Sequence, residues 1–244
     1  MLETLKQTIR RIEARVTPRE SELTFAGHRF SVVRSIWWND ISQPVFEAEI
    51  GPYFQALDGH TGFRSVIDAG AAIGMFSITA GLLFPEAQLH AFEPSLRQRI
   101  VLERNLQKAG LTSRVQVQGA GLWNKNDRLA FRTHGAMSSI ESVSELQGKM
   151  PFEESVEVVA LDRWAEEQHL EALDLIKMDI EGAEIEALEG ALKTLERFHP
   201  ELLVQAYHVR EGTRTYERCA DILKPLGYQY QEVTPGCLHA RYQG

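Results

Sequence analysis

Two segments hold side chains whose types and spacing could do chemistry. In Val66-Ile-Asp-Ala-Gly-Ala-Ala-Ile-Gly-Met75, an apolar run ends in Asp68 and turns through Ala69, Gly70, Ala71 and Gly74 into a stretch opening with Met75 and Phe76. Glycines at such a bend let backbone approach a ligand closely. Glu93, before Pro94, lies 19 residues beyond Gly74, the interval at which an acid reaches ribose hydroxyls in nucleotide-binding folds. A dinucleotide fingerprint would want glycine at Ala72 and Met75. A carboxylate at the Asp68 position repels a diphosphate and attracts a cation. The missing glycines and Asp68 favour S-adenosylmethionine, which carries a sulfonium and an ammonium and no phosphate; Glu93 supports a nucleoside without choosing between this cofactor and NAD. The competing structural reading makes Asp68 a helix N-cap and lets Glu93 cap the helix starting near Ser95.

The second segment is Leu173-Asp-Leu-Ile-Lys-Met-Asp-Ile-Glu-Gly-Ala-Glu184. It puts Asp179 at a strand tip, where ligands of open parallel sheets bind, and Glu181 and Glu184 at a helix start, where acids suit the dipole. Lys177, inside an apolar strand, demands a partner, and Glu181, Asp162 and Asp174 are available; a substrate contact is the alternative. His208 and Asp179 are the candidate bases for a hydroxyl acceptor, beside a mechanism that positions without a base. Ala120 and Gly121, at a third strand tip without an acid, would face an adenine through backbone and apolar walls. His134 and Ser138 are candidates for the acceptor side.

These residues need a scaffold that delivers strand tips to one edge. From residue 63 the chain alternates strand, turn and helix: strands at 65–68, 88–93, 114–118, 174–179 and 201–206, and helices at 75–84, 95–108, 183–198 and 215–226. Such alternation specifies a Rossmann-like α/β fold, a mostly parallel sheet with helices on both faces. Residues 228–233 and 237–242, split by Pro235-Gly236, predict a terminal antiparallel pair. Between about 129 and 161 the alternation lapses into extended pieces and a polar loop, an insert. Residues 1–60 read as a cap: a helix over 1–15 closed by Pro18, a hairpin around Ala26-Gly27-His28, and an aromatic-rich approach through Trp37, Trp38, Phe46, Tyr53 and Phe54. The domain proper is 61–244.

Composition narrows the partners. Lys and Arg total 26 against 34 Asp and Glu, a net charge of −8, which repels polyphosphate backbones. Residues 141–189 hold 15 acidic side chains against Lys149, Arg163 and Lys177. Nucleic acid is not expected, nor is membrane insertion, since the longest uncharged run, Ala69 to Pro85, is interrupted by glycines, serine and threonine and falls short of a bilayer span. Cys219 and Cys237 have no metal-ligand spacing, which fits a reducing cytoplasm and metal independence. The 1–16 helix is the candidate contact for a homodimer.

The sequence resembles the FkbM-type family of S-adenosylmethionine-dependent methyltransferases. The likeness rests on Val66-Ile-Asp-Ala-Gly-Ala-Ala-Ile-Gly74, Ala91-Phe-Glu-Pro94, Leu161-Asp162 and above all Ile176-Lys-Met-Asp-Ile-Glu-Gly-Ala-Glu184 with Leu188-Glu-Gly-Ala191, and spans about residues 63 to 210. It implies a class I methyltransferase sheet and methyl transfer to a hydroxyl of a sugar, polyketide or other natural product. After the fifth strand the family often has Glu before an aromatic or His; here Gln205 stands there. An NAD-linked oxidoreductase and a non-catalytic scaffold are the competing readings.

Overall fold

A computed structural model describes residues 20–34, 41–57, 59–60, 62–132, 139–140, 153–210 and 212–244. The helix expected over 1–15, and with it the homodimer contact, Trp37, Trp38, His134 and Ser138 lie outside the described residues.

The strand-helix alternation builds a seven-stranded sheet. Its strands are β3 (Ser65–Ala69), β4 (Gln88–Phe92), β5 (Val115–Gln118), β10 (Leu175–Met178), β11 (Glu201–Gln205), β14 (Tyr228–Thr234) and β15 (Cys237–Tyr242). Their order is β14-β15-β11-β10-β3-β4-β5, with β15 antiparallel to both neighbours and the pairs from β11 to β5 parallel. The chain runs outward from β3 to β5, then returns to β10 and runs outward the other way. The strand order therefore reverses between β3 and β10, and a ligand crevice opens beyond their carboxyl ends.

Strands buried on both faces read as continuous apolar runs. Val66, Leu89, Val115, Leu175 and Leu203 pack into one core, and Ile67, Ile176, Met178, Leu202 and Val204 into another. The first core is covered by α3 (Met75–Leu83) and α4 (Leu96–Lys108), and also by the N-terminal segment: the hairpin β1 (Glu20–Phe25) and β2 (His28–Val33), then α1 (Gln43–Glu49) and α2 (Gly51–Ala56). Ala26 and Gly27, at φ 45° and 83°, make the two-residue turn between β1 and β2. Leu23, Phe30, Val32, Phe46 and Phe54 share one apolar cluster with Val66 and Phe76, so residue 60 does not separate two cores. Buried Asn105 on α4 ties the hairpin down: its Oδ1 accepts from Val33 N–H at 2.7 Å, and its Nδ2 donates to the carbonyls of Val33 and Ile73.

Four expectations need correction. The helix predicted over 183–198 is two, α6 (Glu184–Glu189) and α7 (Leu192–Phe198). The break falls at Gly190, whose carbonyl accepts from Asp162 N–H, while the Asp162 carboxylate accepts from Lys193 and Thr194 N–H and so caps α7. The helix predicted over 215–226 ends as α8 (Thr215–Leu223), with a 3₁₀ turn across Pro225. Ala120–Leu122 is not the tip of β5. It is a separate strand, β6, which joins β7 (Asp127–Arg132), β8 (Ser139–Ile140) and β9 (Glu153–Val159) in a second sheet ordered β6-β9-β7-β8, while β12 (Val209–Arg210) and β13 (Thr213–Arg214) form a short antiparallel pair. Residue 161, read as extended, starts α5 (Leu161–Glu167). Among the described residues no helix is long and apolar enough to cross a membrane.

A Cβ at Gly190 would overlap the Trp123 backbone carbonyl. Gly190→Ala is expected to cost about 1–3 kcal/mol through forced displacement of packed backbone, a fall of several degrees in the thermal midpoint followed by circular dichroism; an unchanged midpoint would show that this contact yields freely.

Candidate active site

At the switch point lies a cavity of about 350 Å³. Its floor is set by an ion pair between neighbouring strands. Lys177 and Asp68 are register partners on β10 and β3, and both side chains are buried. Lys177 Nζ donates to Asp68 Oδ1 at 3.1 Å and to the Gly70 carbonyl at 3.0 Å. Asp68 Oδ2 also accepts from Ser77 Oγ at 2.6 Å, which ties the strand to α3. Burial works to lower the Lys177 pKa, but Asp68, with Asp179 and Glu93 adding, outweighs it and the net shift is upward. The lysine is therefore a fixed cation that grips the carbonyl of the glycine bend. Its expected partners Glu181, Asp162 and Asp174 are engaged elsewhere: Glu181 with Tyr207 and His208, Asp162 at α7, and Asp174 with the Arg64 and Ser65 N–H groups.

The bend itself comes close to β10. Gly70 has φ 77°, and a Cβ there would overlap the Asp179 carbonyl, so glycine is required on both counts. Asp179 N–H in turn donates to the Ala69 carbonyl at 3.1 Å. Glu93, only 4% exposed, reaches over the bend from β4: Oε2 accepts from Ala72 N–H and Oε1 from Ser95 N–H, both at 2.8 Å. Desolvation raises its pKa to about 7, against the two backbone hydrogen bonds and Arg99. The capping role suggested for Glu93 is thus half of what it does, since it also lines the cavity.

Asp179 lines the same cavity, and burial raises its pKa despite Lys177 nearby. Its Oδ2 accepts from the Tyr53 hydroxyl on α2 at 3.1 Å. The following loop carries Glu181 at φ 56°, an unusual conformation for a non-glycine residue. Buried Glu184 holds that loop by accepting from the N–H groups of Ile180 and Gly182 at 3.3 and 3.1 Å, and desolvation raises its own pKa to about 7. One Glu181 oxygen accepts from the Tyr207 hydroxyl at 3.2 Å and lies 3.3 Å from His208 Nε2.

Of the residues singled out by sequence, Gly70, Ala71, Met75, Phe76, Glu93, Pro94, Gly121, Lys177, Asp179 and Glu181 line the cavity. Asp68, Ala69, Gly74, Ala120 and His208 do not. Asp68, expected to meet the ligand, is instead a fully buried anchor for Lys177. His208, expected as a base, sits behind Gly182 and beside Glu181. Its hydrogen bond to Glu181 raises its pKa in spite of burial and pairs it with that carboxylate. Gln205 does line the cavity, as do Glu49, Tyr53, Gln98 and Tyr207, which sequence reasoning missed. Gln98 left a signal: it is a polar residue on the buried face of α4, beside Val101, Leu102 and Asn105. No spacing links Tyr53 to a site 126 residues away. Among the described residues no group of three or more His, Cys, Asp or Glu is placed to hold a metal.

The strand order, the glycine bend and the switch-point cavity define a class I methyltransferase fold. The comparisons with known proteins carry this further. Residues 68–230 match the Methyltransferase FkbM domain, and the chain belongs to that family. It is 31% identical over 146 residues to the 2-O-methyltransferase NoeI of Sinorhizobium fredii, covering 54% of this chain and 59% of that protein. It is 29% identical over 153 residues to the methyltransferase sdnD of Sordaria araneosa, covering 51% and 59%. The crystal structure of an FkbM methyltransferase from Methylobacillus flagellatus superposes with a TM-score of 0.52 at 24% identity, covering 72% of this chain and 43% of that one. The chain spans less than two thirds of the length of these relatives.

Removing one partner of a buried ion pair strands the other charge, at about 3–5 kcal/mol. Lys177→Met should therefore destabilise strongly in urea titration, and adding Asp68→Asn should recover much of the loss. A double variant no more stable than the single one would contradict the pairing.

Proposed function

We propose that this chain is an S-adenosylmethionine-dependent methyltransferase acting on a hydroxyl of a sugar, polyketide or related natural-product acceptor. The observation that carries the reading is Glu93. It faces the cavity beside the glycine bend, and each of its oxygens takes one backbone N–H and keeps a lone pair for a ribose hydroxyl. Four carboxylate residues line the cavity, Glu49, Glu93, Asp179 and Glu181, and its lining cation, Lys177, is committed to Asp68. That field suits a cationic nucleoside and opposes the diphosphate of NAD. The hydroxyl-directed chemistry is supported by the similarity to NoeI, a 2-O-methyltransferase.

Glu93 would hold the ribose, the bend at Gly70 and Ala71 the amino-acid portion, and Gly121 and Leu122 the base. When bound, S-adenosylmethionine supplies an electrophilic methyl on a sulfonium. The protein must then orient the acceptor oxygen in line and exclude water. Asp179 would take the acceptor proton on a carboxylate oxygen; its burial, which makes it more basic than an exposed acid, supports that role. Glu181 lines the same cavity and completes the acceptor side. Lys177 is spent on the glycine bend and does not contact the acceptor in this mechanism. The acceptor is a small molecule or glycan, with no nucleic acid involved.

Calorimetric titration with S-adenosylhomocysteine should give micromolar affinity that weakens roughly tenfold or more in Glu93→Ala, since a hydrogen bond to a charged group contributes about 1.5–3 kcal/mol. Glu93 ionises at about 7, and two hydroxyl donors favour its charged form. Affinity should therefore rise from about pH 6 to about pH 8, and that slope should vanish in Glu93→Gln. No heat with folded protein would remove the cofactor assignment. Labelled methyl transfer into simple hexosides and deoxyhexosides tests the acceptor: product with the label on oxygen is expected, and a blank panel from protein that binds S-adenosylhomocysteine would move the acceptor out of the sugars.

A further inference from the structure

We propose that Tyr53 is a positioning residue for methyl transfer: from the N-terminal segment it orients the Asp179 carboxylate and sets its basicity. The proposal rests on reading the cavity as a methyl-transfer site. Tyr53 lies before residues 68–230, so nothing in the family match assigns it a role.

The geometry is specific. Tyr53 is 4% exposed and lines the cavity, and its hydroxyl donates to Asp179 Oδ2 at 3.1 Å. Its ring meets Phe76 edge-on, with centroids 5.9 Å apart, and Lys177 Nζ lies 5.9 Å from the ring centroid. The next residue, Phe54, stacks on Phe76 at 5.0 Å and 18°, which fixes α2 against α3. Tyr53 therefore has little freedom to turn its hydroxyl elsewhere. Burial and the neighbouring Asp179 raise its own pKa well above the ordinary value, so it stays a protonated donor. Among the described residues no hydrogen bond engages Asp179 Oδ1, which leaves that oxygen for an acceptor hydroxyl while Oδ2 is held.

Many charges act on Asp179, and they come from several elements. Lys177 lowers its pKa; Asp68 on β3 and Glu181 on the adjoining loop raise it. Glu49 on α1, Glu184 on α6, and Tyr207, His208 and Cys237 near β11 and β15 also feel its charge. Against that background the Tyr53 hydrogen bond favours the charged carboxylate. Its loss should move the titration to higher pH, because the proton is then released less readily.

Tyr53→Phe keeps the ring and its packing and removes only the donor. Carboxyl-labelled aspartate NMR reads the group directly, with the Asp179 resonance assigned by its absence in Asp179→Asn. The expected result is a midpoint raised by about half a unit or more, with S-adenosylhomocysteine affinity within about twofold of the parent. Methylation of hexosides should fall about tenfold in kcat with little change in KM. Phe54→Leu is the control: it loosens the same helix, should lower the thermal midpoint, and should leave the titration in place. An unmoved midpoint in Tyr53→Phe, an unchanged kcat, or an equal shift in Phe54→Leu would overturn the proposal. Failure of the parent protein to bind S-adenosylhomocysteine would instead sink the methyltransferase reading, while the NMR titration still reports on Tyr53.

Discussion

The structure depends on one charge pair set into the middle of a parallel sheet. Every neighbouring position on that face of β3 and β10 is apolar, and Asp68 and Lys177 face each other in register. Either residue alone would be a buried ion without compensation, which is why each calls for the other. The pair also does what a hydrophobic pair of the same volume could not. The ammonium has hydrogens to spare after meeting Asp68, and it spends them on the carbonyls of the bend, fixing the backbone where a ligand must dock. Ser77 extends the arrangement into α3. The strand tips, the glycine bend and the following helix are thus clamped from beneath the cavity.

Above that clamp the site is built from acids that the fold partly desolvates. Glu93 and Glu184 both ionise near 7, and Asp179 is shifted in the same direction. They are not equivalent. Glu184 turns away from the cavity and stabilises the loop that presents Glu181, whereas Glu93 and Asp179 face the space where a ligand would lie. Acids shifted by burial beside a cavity are expected where chemistry is done. Here one of the three has a structural assignment, and the pKa shift by itself does not tell them apart; the direction each side chain faces does.

Much of this was legible in the sequence because it is periodic or local. The alternation of apolar runs with helical stretches announced the sheet, and the reversal of strand order follows from the chain returning past its first strand. Glu93, Gly70 and Asp179 stood out through spacing from a glycine bend. The readings that failed depend on partners distant along the chain. Lys177 reads in sequence as needing an acid, but its partner is 109 residues away and by its strand-tip position reads as a ligand group. His208 has the chemistry of a base, yet its place behind Glu181 is set by the turn after β11, which no pattern encodes. Gly190 read as one more helical residue, since nothing local reveals that Trp123 backbone lies against it. Tyr53 was visible only as one aromatic among several.

The raised acids also connect function to stability. A carboxyl that holds its proton more tightly when folded than when unfolded makes stability fall as pH rises from the ordinary carboxylate range, about 4.5, to its folded value near 7. Near neutrality the ionised acids of the cavity therefore carry a partial desolvation penalty, to which Glu49 and Asp179, shifted in the same direction by burial, add. A ligand that brings hydroxyl donors to Glu93 relieves part of that penalty and one that also brings positive charge relieves more, whereas an anionic one does not. The same burial that lowers stability near neutrality thus sharpens the choice of occupant, because the free energy recovered on binding depends on the sign of the charge that arrives.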